Sequence, residues 1–256
     1  MEDYVTLERS DDIMIVRFDR QGALNAFDQK MITELTDTAK LLAEDLTVRS
    51  VVLTGASAAF SSGIDLKDAQ NWDLEAMNDL EIRRRFYRGV RLCQAWEDLP
   101  QITIAAAEGM MVGAGCALGL ACDWRVLARD AYLFVPEVQV GLNLQWGALP
   151  RLMTLVGPAR AKEICLLGEK MSSDQALDWG LVSRLAEPGK SVEVALGLAQ
   201  RCATNPPIAS AMVKEAVNAI AGALHKVGSY ADADQSQLSG TNQTAAAARR
   251  RFADKK

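Results

Sequence analysis

The sequence predicts an α/β fold over its first 150 residues and a helical portion after them. Three observations carry that expectation. Short apolar runs of strand length end repeatedly in glycine turns. Between them lie longer segments whose apolar residues recur at helical spacing. Beyond Pro150 the strand-like runs give way to helical patterns. No repeat of fixed period occurs, although a strand, strand, helix alternation returns along the chain.

"IMIVRF" (13–18) reads as a strand before the turn "DRQGALNAF". Met31, Leu35, Ala39 and Leu42 then lie on one helical face, with Asp28 placed to cap it. "SVVLTG" (50–55) is a buried strand ending at Gly55, followed by the loop "ASAAFSSGIDLKD". Between 74 and 99, Leu80, Phe86, Val90, Cys93 and Trp96 mark a long amphipathic helix that Pro100 ends. "ITIAAA", "DWRVLA" and "AYLFVP" read as three further strands. The helical patterns are "PARAKEICLLG", "SSDQALDWG", "SVEVALGLAQRCAT" and "PPIASAMVKEAVNAIAGAL". Pro158 and Pro207 suit first helical turns, and Gly168 and Gly180 suit C-terminal caps.

A chain of 256 residues can bury a large core without metals or disulfides. Its net charge of −5 argues against a polyanion such as nucleic acid as main partner. The "RRR" runs at 83–85 and 249–251 read as solvated helix faces. Five cysteines form no C-x-x-C pair, and the lone histidine, His225, sits in a stretch that reads as helix surface. A zinc site is therefore not expected, and reduced thiols in a cytoplasmic setting are. The acidic N-terminus lacks an apolar signal core, so secretion is not supported.

The run "EGMMVGAGCALGLACD" (108–123) is apolar enough to ask whether it spans a membrane. A span needs about 20 apolar residues. This one would have to contain Glu108, and its glycines follow a strand-like start. A strand handing over to a buried helix through Gly109, Gly113 and Gly115 is the better reading. The loop at 56–68 has the same grammar. Each junction alone is compatible with plain turn chemistry. Together they can aim two backbone N–H groups into one pocket, as an oxyanion hole requires. No G-x-S-x-G occurs, and "GAGCALG" only imitates a dinucleotide fingerprint.

Taken in order, "RQGALNAF", "AFSSGIDLKD", "ITIAAAEGMMVGAGCALGLACDWRVLA", "FVPEVQVGL" and "LLGEKMSSDQALDWGLVSRL" resemble the crotonase, or enoyl-CoA hydratase/isomerase, superfamily. The resemblance implies a crotonase-like spiral of ββα repeats over 1–195. It also implies a C-terminal helical region, 196–256, that completes a homotrimer or a dimer of trimers and the coenzyme A pocket. It implies an acyl-CoA thioester as substrate, coenzyme A entering only as part of it, with no tightly bound cofactor or metal.

Carried over by position, the two oxyanion donors fall on the N–H groups of Ile64 and Ala114, beside Gly63 and Gly113. Ala23, Leu24 and Ala26 match the segment lining the coenzyme A channel. Leu66 and Lys67 border the adenine and pantetheine, Ser62, Gly63, Asp65, Gly113 and Pro136 belong to the coenzyme A and substrate site, and the basic ending "RRFADKK" is similar to one that reaches the 3′-phosphate. The acidic and glycine positions expected before that ending are Gln243, Ala246 and Ala247 here, a departure.

Family hydratases use two glutamates. One position holds Glu137, after Pro136; the other holds Ala117, which cannot position or deprotonate water. A single carboxyl can still shuttle a proton, so the resemblance implies an enoyl-CoA isomerase moving a double bond from Δ3 to Δ2. An atypical hydratase and a non-catalytic acyl-CoA binder stay open. Gln145 stands where some relatives place a catalytic aspartate, and so cannot be that base. Leu142, Gln145 and Trp146 border the acyl site, where an indole would either narrow the pocket or stack on a flat acyl group; core packing is the plain alternative. Asp123 resembles a structural aspartate.

Overall fold

The computed structural model describes residues 3–68, 71, 74–240 and 243–253. Strands β1 (Val5–Ser10), β2 (Ile13–Phe18), β3 (Ser50–Thr54), β4 (Ile102–Ala107), β6 (Trp124–Ala128) and β9 (Arg184–Ala186) form one sheet in that order. β1 and β2 make an antiparallel hairpin, and every later neighbour runs parallel. Strands β5 (Met110–Val112), β7 (Tyr132–Phe134) and β8 (Met171–Ser172) form a second sheet.

Apolar side chains on both faces explain why β2, β3 and β4 lack an alternating polar pattern. Met14, Val16, Val51, Leu53, Ala105 and Leu127 enter the main core. Their neighbours Ile13, Ile15, Val52, Ile104, Ala106 and Val126 face the other way, under a helix carrying Ala195 and Ala199. The edge strand β1 is mostly exposed and polar, which hides it from a hydropathy pattern.

Helix α1 (Gln29–Glu44) is capped by Asp28, whose Oδ1 accepts the Met31 N–H at 2.8 Å. Helix α2 (Asp79–Glu97) starts later than the apolar pattern suggests, because Asn78 and Glu81 form a reciprocal capping box there. Helix α3 (Ala114–Ala121) follows β5 directly and is wholly buried. It explains the membrane-like stretch: two short strands and a short core helix. No helix among the described residues is long and apolar enough to cross a membrane.

Helix α4 (Ala148–Leu167) breaks at Gly157, φ 76°, and Pro158 opens its second segment as expected. Its first segment was not expected. Helices α5 (Ser173–Asp178) and α6 (Ser191–Ala203) follow. The expected boundary at 195 falls inside α6, whose Ala195 and Ala199 belong to the sheet's second core. The helices that leave that core begin with α7 (Pro207–Ala221) and continue through α8 (His225–Ser229), α9 (Asp232–Gly240) and α10 (Gln243–Ala253).

Three loops are stitched side by side by backbone hydrogen bonds. Phe27 donates to the Gly63 carbonyl at 2.8 Å, and Asp65 donates to that of Phe27 at 2.9 Å. Ser61 donates to the Met110 carbonyl at 3.0 Å, and Val112 returns a bond to Ser61 at 2.9 Å. Buried Asn25 ties the first loop down by donating to the Phe18 and Phe60 carbonyls. These stitches place the glycine turns next to one another.

Candidate active site

Gly63 (φ 92°) and Gly113 (φ 50°) both adopt backbone that side-chain-bearing residues rarely enter. Space requires glycine as well. A Cβ added at Gly63 would sit 3.1 Å from the Val112 carbonyl oxygen and 3.7 Å from the Ala114 nitrogen. One added at Gly113 would meet Glu137 Oε1 at 2.7 Å and lie 3.9 Å from the Gly63 Cα. The two turns and the Glu137 carboxyl therefore occupy one spot.

Ala114 is the first residue of α3, so its N–H has no intrahelical partner. Ile64 pairs with Phe27 through its neighbours' groups rather than its own N–H. Among the described residues, neither N–H is taken by a protein acceptor. Two N–H groups left over beside a cavity can receive an oxygen that gains negative charge.

Glu137 opens a 3₁₀ turn, Glu137–Val140, with buried Pro136 before it. Helix α10 backs the turn: a Cβ on Gly141 would meet the Ala245 Cα at 2.6 Å. The residue keeps partial exposure, yet its Oε2 is buried without a hydrogen-bond partner. Burial pushes the carboxyl up to about 7, against a weaker opposing bond from its own backbone. A carboxyl half protonated near neutrality can both take and return a proton.

The cavity, open to solvent on one side, has a volume of about 80 Å³. Ile64, Ala114, Glu137, Leu142, Gln145 and Trp146, all anticipated from sequence, line it, and so does Ala117. Glu137 is the only carboxylate in its lining among the described residues. The other anticipated residues, Ala23, Leu24, Ala26, Ser62, Asp65, Leu66 and Lys67 among them, are not part of its lining. Ser62 donates to the Leu24 carbonyl at 3.0 Å and its hydroxyl faces the Ala23 carbonyl at 3.4 Å; Ala26 is buried and Leu24 exposed. Leu66 is half-buried, and Lys67 is exposed. Asp65 is held by Arg20 at 2.6 Å, and Arg20 also reaches Asp28 at 3.2 Å. Burial opposes the Asp65 carboxylate, but the bonds from Arg20 and the Lys67 N–H outweigh it and keep it below the usual range. Of the expected basic ending, Asp254–Lys256 lie outside the described residues.

Gln29 and Ile32 of α1, Asn71, and Arg85, Phe86 and Gly89 of α2 also line the cavity. Sequence reasoning missed them because helices far apart in the chain bring them together. Gly89, inside a predicted helix, was the one local sign. Gln29 donates to Asn71 Oδ1 at 2.7 Å and accepts from Arg88 at 2.6 Å, while Asn71 donates to the Asp65 carbonyl at 3.1 Å. This polar chain braces the Ile64 loop.

Asp123 sits away from the cavity lining, where Oδ2 accepts from Thr103 and from Lys214 Nζ at 2.8 Å. His225, expected on a helix surface, is instead half-buried. Helix α8 folds onto α4, bringing its Nε2 within 3.2 Å of Thr154 Oγ1 and its Nδ1 within 3.6 Å of Glu97. No group of three His, Cys, Asp or Glu side chains able to hold a metal exists among the described residues.

The family described as enoyl-CoA hydratase/isomerase matches residues 8–256. The chain belongs to the enoyl-CoA hydratase/isomerase family. It is 31% identical over 215 residues to a short-chain-enoyl-CoA hydratase of Clostridium acetobutylicum, covering 84% of this chain and 80% of that one. It is 30% identical over 219 residues to a 1,2-epoxyphenylacetyl-CoA isomerase of Escherichia coli, covering 85% and 83%. Other relatives are named mostly as enoyl-CoA hydratases. A crystal structure of an enoyl-CoA hydratase from Mycobacterium avium subsp. paratuberculosis superposes with a TM-score of 0.88 at 24% identity, covering 99% and 96% of the two chains, which establishes the fold. Membership in this hydratase/isomerase family, with the superposition, gives the chain the crotonase fold.

Proposed function

We propose that this member of the family is an enoyl-CoA isomerase that moves a double bond from Δ3 to Δ2, with Glu137 as its single acid and base. One observation carries the reading: Glu137 is the only carboxylate lining the cavity among the described residues, and Ala117 stands beside it there. Adding water across a double bond takes one group to direct the water and another to manage the proton. A double-bond shift needs only one. The Glu137 carboxylate removes a proton from C2, and the electron pair moves onto the thioester oxygen. The N–H groups of Ile64 and Ala114 stabilise that oxygen, a contribution on the order of a hundredfold per donor. The carboxylic acid then returns its proton at C4. No resident cofactor enters, and coenzyme A is part of the substrate.

The Ala23–Ala26 segment, with Ser62, Leu66 and Lys67, borders the coenzyme A moiety in this proposal. Four of the five cysteines are buried and none is paired. We place the protein accordingly in a reducing compartment such as the cytoplasm. Self-association as a trimer, or a pair of trimers, is supported by the apolar face of α7 discussed below. The names of most relatives favour the second reading, a hydratase of atypical site.

A coupled assay separates the readings. Wild type should convert 3-enoyl-CoA to trans-2-enoyl-CoA, and Glu137→Gln should lower that rate by about 10²- to 10⁴-fold. Robust 3-hydroxyacyl-CoA formation from the trans-2 thioester would replace the isomerase by the hydratase. Acyl-CoA binding with no turnover of either kind would leave only a binder.

A further inference from the structure

Trp146 lines the cavity, and we propose that it walls off the acyl side and restricts this site to short acyl thioesters. The inference rests on the reading of the cavity as a thioester site and adds which acyl groups enter it. The indole packs edge-on against Phe27, ring centroids 5.5 Å apart at 87°. On its other side is α2, where a Cβ added at Gly89 would overlap the indole ring. The glycine makes the slot that the ring fills. Phe27 is also the residue whose backbone holds the Ile64 loop, so the wall stands directly beside the carbonyl cradle.

The backbone that carries the ring is pinned. Trp146 (φ 61°) precedes Gly147 (φ 67°) in left-handed backbone, which glycine adopts freely but a tryptophan keeps only where its surroundings enforce it. Here Arg151 Nη1 donates to both carbonyls at 3.1 Å, and the Gly147 N–H donates to Asp232 Oδ2 at 2.9 Å. Arg151 is itself held by Glu97 through two bonds of 2.8 Å.

Volume decides between the two roles an indole could play at this place. The cavity of about 80 Å³ is near half the ~150 Å³ that admits one benzene ring in an engineered apolar cavity. In this proposal the wall leaves room for a chain of a few carbons beyond the thioester carbonyl and excludes a flat aromatic acyl group stacked on the indole.

The test measures affinity without requiring turnover. Butyryl-, octanoyl- and dodecanoyl-CoA are titrated calorimetrically into wild type, Trp146→Ala and Trp146→Phe, each checked for folding by thermal melt. Wild type should bind butyryl-CoA more tightly than dodecanoyl-CoA. Each methylene newly buried is worth about fourfold, so in Trp146→Ala the dodecanoyl-to-butyryl affinity ratio should rise at least about tenfold. Trp146→Phe, which keeps a packed ring, should shift the ratio by about threefold or more and carries the test if the alanine variant does not fold. Wild type binding dodecanoyl-CoA as tightly as butyryl-CoA, or ratios unmoved in folded variants, overturns the proposal. Chain-length preference without turnover would remove the isomerase and keep the wall; turnover without such preference would do the reverse. No binding of any thioester would end both.

Discussion

At Glu137 the chemistry and the stability of the protein pull in opposite directions. Its carboxyl is raised from 4.5 to about 7 because ionising it inside the cavity costs solvation. The folded protein thus holds this proton more tightly than the unfolded chain does. The resulting stabilisation is complete below the ordinary carboxylate range and is lost as pH rises through about 7. Glutamine has no proton to lose. Glu137→Gln is therefore expected to be more stable than wild type by ~3 kcal/mol at pH 8, shrinking to less than about 1 kcal/mol at pH 5. Denaturant unfolding at both pH values reads the difference, and an equal gap at the two would mean the carboxyl is not desolvated.

The first segment of α4 and the end of α2 are joined by a buried ion pair. The Arg151 side chain is only 5% exposed, and it grips Glu97 with two nitrogens while its third holds the Trp146 and Gly147 carbonyls. Removing one partner of such a pair strands a charge in the interior, which costs about 3–5 kcal/mol. Arg151→Met should lose stability of that size in urea melts, and it should also release the 146–147 backbone. A loss below about 1 kcal/mol would show that water replaces the guanidinium freely. Nothing in "LPRL" announces this role, since the partners come from a helix far upstream and a turn just behind.

The outermost helices leave an apolar face uncovered on the whole molecule. On α7, Ile208, Met212, Val213, Val217 and Ile220 are all more than half exposed. Contiguous apolar surface of that kind marks an interaction site. With trimeric assembly as the proposal, Met212→Glu with Val217→Glu should hold the chain as a monomer while wild type sediments as a trimer or a multiple of it. Wild type sedimenting as a monomer would remove the assembly reading. The pattern was visible in the sequence as a helix, but its exposure was not, because a periodic stripe looks the same whether the core or a second copy covers it.

By itself the sequence determined the α/β class, the capping of α1 by Asp28, the proline starts of α7 and of α4's second segment, and the glycine turns at 63 and 113. These rest on local preferences, written within a few residues and read without knowing the neighbours. The family motifs extended that reach to Ile64, Ala114 and Glu137. Tertiary structure alone decided what touches what: the Glu137 carboxyl on Gly113, the indole in the slot of Gly89, and Gln29, Asn71 and Arg85 on the cavity wall. It also folded His225 inward and kept α6 on the sheet. Such contacts join distant parts of the chain, and packing selects them for the core as a whole rather than through any one segment's pattern.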